Sequence, residues 1–123
     1  MKDGITYNLI PETKYENNEY TAAMIKVKLP EPLEYNAALN MIDLPRVEQT
    51  EDKDKSDIKF NEFLFEIAYK DNMIRTLGVT AYNLKDGNVT AISSCTYTYP
   101  YYNSLWTAPI TNQSKAIASV LAR

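Results

Sequence analysis

The feature that most constrains the fold is an alternation of apolar and polar residues in the second half of the chain. In Glu62–Lys70 every odd-numbered residue is aromatic or branched apolar, whereas the even-numbered residues include two glutamates and a lysine. A period of two residues with this composition favours a strand that buries one face. Apolar residues from Phe60 to Ile67 would also share one face of a helix, but the aromatic and β-branched enrichment leads us to predict a strand.

Two turn sequences follow this strand, and they predict that two more strands pair with it in a meander. Lys70-Asp71-Asn72 predicts a turn into a second strand, from about Ile74 to Tyr82. Lys85-Asp86-Gly87-Asn88 then contains the Asp-Gly pair that suits the positive φ angles of tight hairpins. A third strand is predicted over Val89–Tyr99, where it meets Pro100, which lacks a backbone donor. Strands joined by such short turns form an antiparallel meander.

The first half adds a second amphipathic strand and a helix. Thr21–Leu29 alternates apolar residues against lysines, and Ile5–Ile10 is predicted to pair with it across the polar stretch Pro11–Asn18. Prolines bracket Leu33–Ile42, where one short helix fits with Pro32 in its first turn.

The end of the chain predicts a final helix over Ser114–Arg123, capped by Thr111 or Asn112. Its inner face would consist of Ile117, Val120 and Leu121.

These elements predict an α+β or mainly β protein, an antiparallel meander of four to five strands with one or two short helices. An OB-like small barrel is one architecture of this kind. With 123 residues and 45% hydrophobic residues, the chain is expected to form a single domain, 1–123, with a real core. In Glu48–Lys59 eight of twelve residues are charged, so 48–59 is predicted to be a mobile surface loop within that domain.

The composition excludes most familiar catalytic sites. With no histidine and one cysteine, the chain has no Ser-His-Asp triad, imidazole metal site, intrachain disulfide or multi-cysteine zinc site. Glycines at 4, 78 and 87 leave no phosphate-binding loop. Cys95, without a histidine to activate it, is interpreted as a small core residue. We therefore expect no catalytic residues, no cofactor and no enzymatic activity.

Two acidic patterns resemble functional sites only in part. Asp52-x-Asp54-x-Ser56 begins like a calcium-binding EF-hand loop, but Asp57 stands where that loop needs glycine and Phe63 where it needs glutamate. No metal site is predicted. Glu62 and Glu66 would share one strand face, which we expect to be polar and exposed to solvent.

The most distinctive segment is 97–106, which holds five of the fourteen aromatic residues. It lies in a part of the chain without acidic side chains, since Asp86 is the last, although the net charge is −3. Three interpretations compete: packing in the core, anchoring a protein interface, and stacking on unpaired nucleic-acid bases beside basic residues. The predicted partner-binding residues are Tyr99, Tyr101, Tyr102, Trp106, Arg75 and Lys85.

These observations favour a non-catalytic small binding protein that acts on another protein, as an inhibitor or accessory factor. The alternatives are a single-stranded nucleic-acid-binding protein and a homo-oligomeric structural protein, a homodimer or a higher oligomer. Low histidine and glycine content with abundant tyrosine, asparagine and lysine suggests a phage, viral or mobile-element origin. No signal peptide or membrane span is visible, so we expect a cytoplasmic protein without a membrane partner.

Overall fold

The computed structural model describes residues 4–45, 58–96 and 106–122. Five antiparallel strands form one sheet in chain order, β1 beside β2 and so on to β5. The sheet curls into a half-barrel accompanied by two helices, so the predicted mainly β meander, consistent with an OB-like small barrel, is confirmed. The elements are β1 Thr6–Glu16, β2 Thr21–Glu34, α1 Tyr35–Met41, β3 Lys59–Lys70, β4 Met73–Lys85, β5 Asn88–Thr96 and α2 Asn112–Leu121.

Irregular pairing accounts for the curl of the sheet. Each of the four ladders contains one register shift, and the shift between β3 and β4 falls between Glu66 and Ile67. Extra residues on one strand of a pair bend it and increase its twist.

The two predicted tight turns are confirmed. Asp71 and Asn72 have φ angles of 52° and 66°, and Asp86 and Gly87 have φ angles of 54° and 82°. Two consecutive residues with positive φ match the twist of the strands that they join.

The first half corrects two predictions. β1 is not a short Ile5–Ile10 strand, because it runs through most of the polar stretch to Glu16. Pro32 does not lie in the first turn of the helix, because β2 continues to Glu34 and α1 begins at Tyr35. The physical reason is the register shift between Lys28 and Leu33, since prolines are tolerated where a ladder is interrupted.

The core fills the inner face of the sheet. The Tyr35 ring of α1 lies 6.0 Å from that of Phe60 and 5.9 Å from that of Phe63, between ring centroids. From α2, Ile117 and Leu121 are buried as predicted, whereas Val120 is only half-buried. These contacts attach both helices to the same face of the sheet.

The cap of α2 is Thr111, and Asn112 is the first residue of the helix. The Thr111 hydroxyl accepts a hydrogen bond from the backbone N–H of Ser114 at 3.2 Å.

Some predicted features fall outside the described residues. These include 48–57 of the charged segment, with its EF-hand-like residues, and the last three residues of the predicted third strand. Lys59, the end of the predicted loop, is the first residue of β3. The backbone of Cys95 pairs with Val79 of β4.

Candidate functional site: an aromatic cluster on the outer face of the sheet

One row across the outer face of the sheet consists of two small residues between two large ones. The strand register aligns Tyr15 of β1 with Ala22 of β2, Ala68 of β3 and Arg75 of β4. Successive side chains of a strand point to opposite faces of the sheet. The sequence neighbours of this row point into the core, so the row itself lies on the outer face. Both alanines are nevertheless fully buried, although they lie outside the main hydrophobic cluster of the inner face. Larger side chains must therefore cover them.

Tyr20 and Trp106 pack against the two large side chains of this row. The Tyr15 and Tyr20 rings meet edge to face with centroids 6.3 Å apart, and the Tyr20 and Trp106 centroids are 6.4 Å apart. The guanidinium carbon of Arg75 lies 5.6 Å from the centroid of the Trp106 ring, within the range of a cation–π contact. We call Tyr15, Tyr20, Trp106 and Arg75 the aromatic cluster.

A short backbone bridge fixes the position of Trp106. The next residue, Thr107, exchanges two backbone hydrogen bonds with Ile74, at 2.9 Å and 2.8 Å. This bridge holds the segment that follows the tyrosine-rich run against the start of β4, next to Arg75. Trp106 itself is half-buried.

Tyr15 anchors the other end of the cluster. Its hydroxyl donates a hydrogen bond to a carboxylate oxygen of Glu66 at 2.8 Å. Burial, followed by the hydrogen bonds with Glu66 and Tyr20, raises the pKa of the Tyr15 phenol well above its ordinary value. The phenol stays protonated at neutral pH and keeps its hydrogen bond, while 41% of Tyr15 is exposed.

A second pair of a phenol and a carboxylate lies towards the opposite end of the outer face. There the register aligns Lys28, Glu62, Tyr82 and Ile92. Burial, then the hydrogen bond with Glu62 and the charge of that carboxylate, raises the pKa of Tyr82 to about 12.

The expectation that the two glutamates face solvent is wrong. Glu62 is only 7% exposed, because Tyr82 of the neighbouring strand β4 shares a hydrogen bond with it. Glu66 is half-buried, because Tyr15 of β1 reaches across β2 and donates a hydrogen bond to it. The second oxygen of Glu62, Oε1, is buried and has no hydrogen-bond partner among the described residues.

The structure brings together only some of the predicted binding residues. Trp106 and Arg75 are in contact, but Arg75 is just 8% exposed. Lys85 lies at the far end of β4, ten residues from Arg75, or roughly 30 Å along a strand. Tyr99, Tyr101 and Tyr102 lie outside the described residues.

Tyr15 and Tyr20 are site residues that the sequence pattern does not predict. Pro11–Asn18 has the polar composition of a connection, and only the strand register places Tyr15 beside Ala22. The one local signal is a pair of tyrosines flanking the Asn17-Asn18 turn, with an alanine pair just after it.

Other kinds of site receive little support within 4–45, 58–96 and 106–122. No three metal-ligating side chains come together there, and no helix there has the length and hydropathy to cross a membrane. A shallow cavity of about 240 Å³ lies between α2 and the β3–β4 turn. It is lined by Tyr69, Asn72, Pro109, Lys115, Ala118, Ser119 and Ala122.

No protein-family profile matches this chain, and no curated protein or solved structure is detectably similar to it. The fold and the site together define a small, mainly β protein with an aromatic cluster on the outer face of its sheet.

Proposed function

We propose that this chain is a non-catalytic binding protein that contacts a protein partner through the aromatic cluster. The observation that carries the proposal is that two tyrosines flanking the β1–β2 turn and a tryptophan from far along the chain are held together on the outer face, with Tyr15 41% exposed. Tyrosine and tryptophan dominate the energetics of many protein interfaces. From the sequence, Tyr99, Tyr101 and Tyr102 are proposed to extend this surface.

The rigidity of the cluster supports a binding role. Tyr15 is held by Glu66, and Trp106 by Arg75, Tyr20 and the neighbouring backbone bridge. Side chains already fixed in position lose less conformational entropy when a partner covers them.

Charge favours a protein over single-stranded nucleic acid. A stacking platform for bases needs basic groups that reach the phosphates. Arg75 is nearly buried beside Trp106, Lys85 lies at the other end of β4, and the carboxylate next to Tyr15 belongs to Glu66. Within the cluster, the one basic side chain, that of Arg75, is therefore largely covered.

The test compares what three immobilised forms of the protein retain from a lysate of the source cells. They are the parent, the double variant Tyr15→Ser/Tyr20→Ser, and Ile110→Ser, which changes an apolar residue 77% exposed outside the cluster. We expect the parent and Ile110→Ser to retain the same protein in stoichiometric amounts and the folded double variant to lose it. Equal retention by all three would contradict the proposal.

A fluorescence titration tests the nucleic-acid alternative. Trp106 is the only tryptophan, so its emission reports directly on the cluster. We expect no quenching by oligo(dT) at low salt. Quenching that weakens steeply as salt is raised would instead favour a single-strand binder.

A further inference from the structure

Among the described residues, β5 forms one edge of the sheet, and its sequence lacks the charges and prolines that usually protect an edge strand. In the described part of the chain β5 pairs on one side only, with β4. Asn88–Thr96 contains no charged residue and no proline. Val89 is 55% exposed and Ile92 is 69% exposed. An uncharged edge strand with exposed branched residues is a template for pairing with another strand.

The other edge of the same sheet is protected. β1 contains Pro11, an interruption of its ladder between Ile10 and Tyr15, and the charged residues Glu12, Lys14 and Glu16. Proline, bulges and charges are the means by which natural sheets prevent pairing at an edge. The contrast singles out β5 as the edge suited to pairing.

We propose that β5 pairs antiparallel with β5 of a second copy of this chain, which joins two five-stranded sheets about a two-fold axis. In such a contact β5 of one copy pairs with β5 of the other copy. An uncharged strand pairs with itself in any register without placing like charges opposite each other. The edge therefore accepts a second copy without like charges facing each other across the paired strands.

The position of Ile92 specifies the register. Ile92 is the middle residue of the nine-residue strand Asn88–Thr96. The two-fold pairing that uses the whole strand therefore places Ile92 directly opposite Ile92 of the second copy. Its pairing with Tyr82 puts Ile92 on the outer face, where the two exposed isoleucines would cover each other.

The contact is small, so we expect a concentration-dependent dimer. Nine paired residues span roughly 30 Å, and the area is modest beside the ~1,000 Å² of a stable interface. We expect dissociation in the micromolar range, and the surface is separate from the aromatic cluster.

Sedimentation over protein concentrations from about 5 to 500 µM tests the proposal. The parent is expected to shift from the monomer to the dimer mass. Ile92→Lys, which places two ammonium groups opposite each other, is expected to weaken dimerisation at least about tenfold. The matched control Ile110→Lys changes an isoleucine that is 77% exposed outside the sheet, and it should dimerise as the parent does. A monomeric parent at all concentrations, or equal loss in both variants, would overturn the proposal.

Two further samples test the register and the location of the contact. Mixing Ile92→Lys with Ile92→Glu should restore a heterodimer, since the two opposite charges then meet at the axis; a mixture that stays monomeric overturns the register. Tyr15→Ser/Tyr20→Ser should still dimerise. If this variant did not dimerise, the chain would self-associate through the aromatic cluster, and the β5 contact would be overturned. Failure of the partner-capture experiment, in contrast, would not bear on the β5 contact.

Discussion

At the scale of single residues, the outer face carries two tyrosines bonded to two glutamates of β3. Tyr15 donates to Glu66, and Tyr82 shares a hydrogen bond with Glu62, four residues earlier in the same strand. A neutral phenol beside a carboxylate is a stable arrangement as long as the phenol keeps its proton. The Tyr82–Glu62 pair therefore adds a side-chain contact to the β3–β4 ladder, and the Tyr15–Glu66 pair connects β1 to β3, which share no ladder.

The Tyr82 pair predicts a pH dependence in the alkaline range. The pKa of Tyr82 is raised from 10.0 to about 12, by burial first and then by Glu62. Because the folded state holds this proton more tightly than the unfolded state, its contribution to stability is complete below pH 10 and lost as the pH rises through about 12. The difference in ultraviolet absorbance between the parent and Tyr82→Phe should show a tyrosine that ionises near pH 12.

The matched variant Glu62→Gln separates the causes of this shift. Removing the carboxylate charge should lower the pKa of Tyr82 but leave it above the ordinary value, since burial remains. A difference titration that is unchanged in Glu62→Gln would show that the carboxylate does not interact with Tyr82.

Residue-level chemistry was only partly predictable from the sequence. The alternation in Glu62–Lys70 predicted which residues face away from the core, but exposure depends on what the neighbouring strands place beside them. Glu62 is buried by its cross-strand partners, and that pairing is fixed by register shifts that no local pattern indicates. Trp106 and Arg75 were both predicted as binding residues, yet their contact depends on the bridge between Thr107 and Ile74, which are far apart in the sequence.

At the scale of elements, the second half of the sheet was predictable because its signals are local. The alternation of β3 and the Asp86-Gly87 turn each act within a few residues. β1 and β2 extend beyond their predicted ends because pairing with a neighbour overrides a polar or proline-containing sequence. The boundary between β2 and α1 is therefore determined by strand pairing and not by the local sequence.

The N-terminus of α2 offers a prediction at this scale. Thr111→Ala removes the hydroxyl that accepts from the backbone N–H of Ser114 and should lower the free energy of unfolding by about 1 kcal/mol. Asn112→Ala, at the neighbouring exposed position inside the helix, should change it by less than about 0.5 kcal/mol. Urea denaturation measures both values. A larger loss in Asn112→Ala than in Thr111→Ala would contradict the assignment of Thr111 as the cap.

At the scale of the whole molecule, both helices depend on the sheet for their burial. The three buried phenylalanines of β3 lie in the same core as Tyr35 of α1 and as Ile117 and Leu121 of α2. α2 has ten residues, too few for an isolated helix to be stable in water. The sheet in turn needs the helices to cover its inner face. Folding of the three parts should therefore be one cooperative event.

Ile117→Ala tests this coupling from the helix side. Ile117 is 5% exposed, so the truncation should lower the free energy of unfolding by about 2–5 kcal/mol. Trp106 lies on the opposite face of the sheet, and its fluorescence should still lose the native signal at the same urea concentration as far-ultraviolet circular dichroism, in the parent and in the variant. Ile110→Ala, at a residue 77% exposed, should leave the midpoint nearly unchanged. If Ile117→Ala moved the dichroism midpoint but not the fluorescence midpoint, α2 would unfold separately from the sheet. The aromatic cluster would then belong to a sheet that is stable without α2.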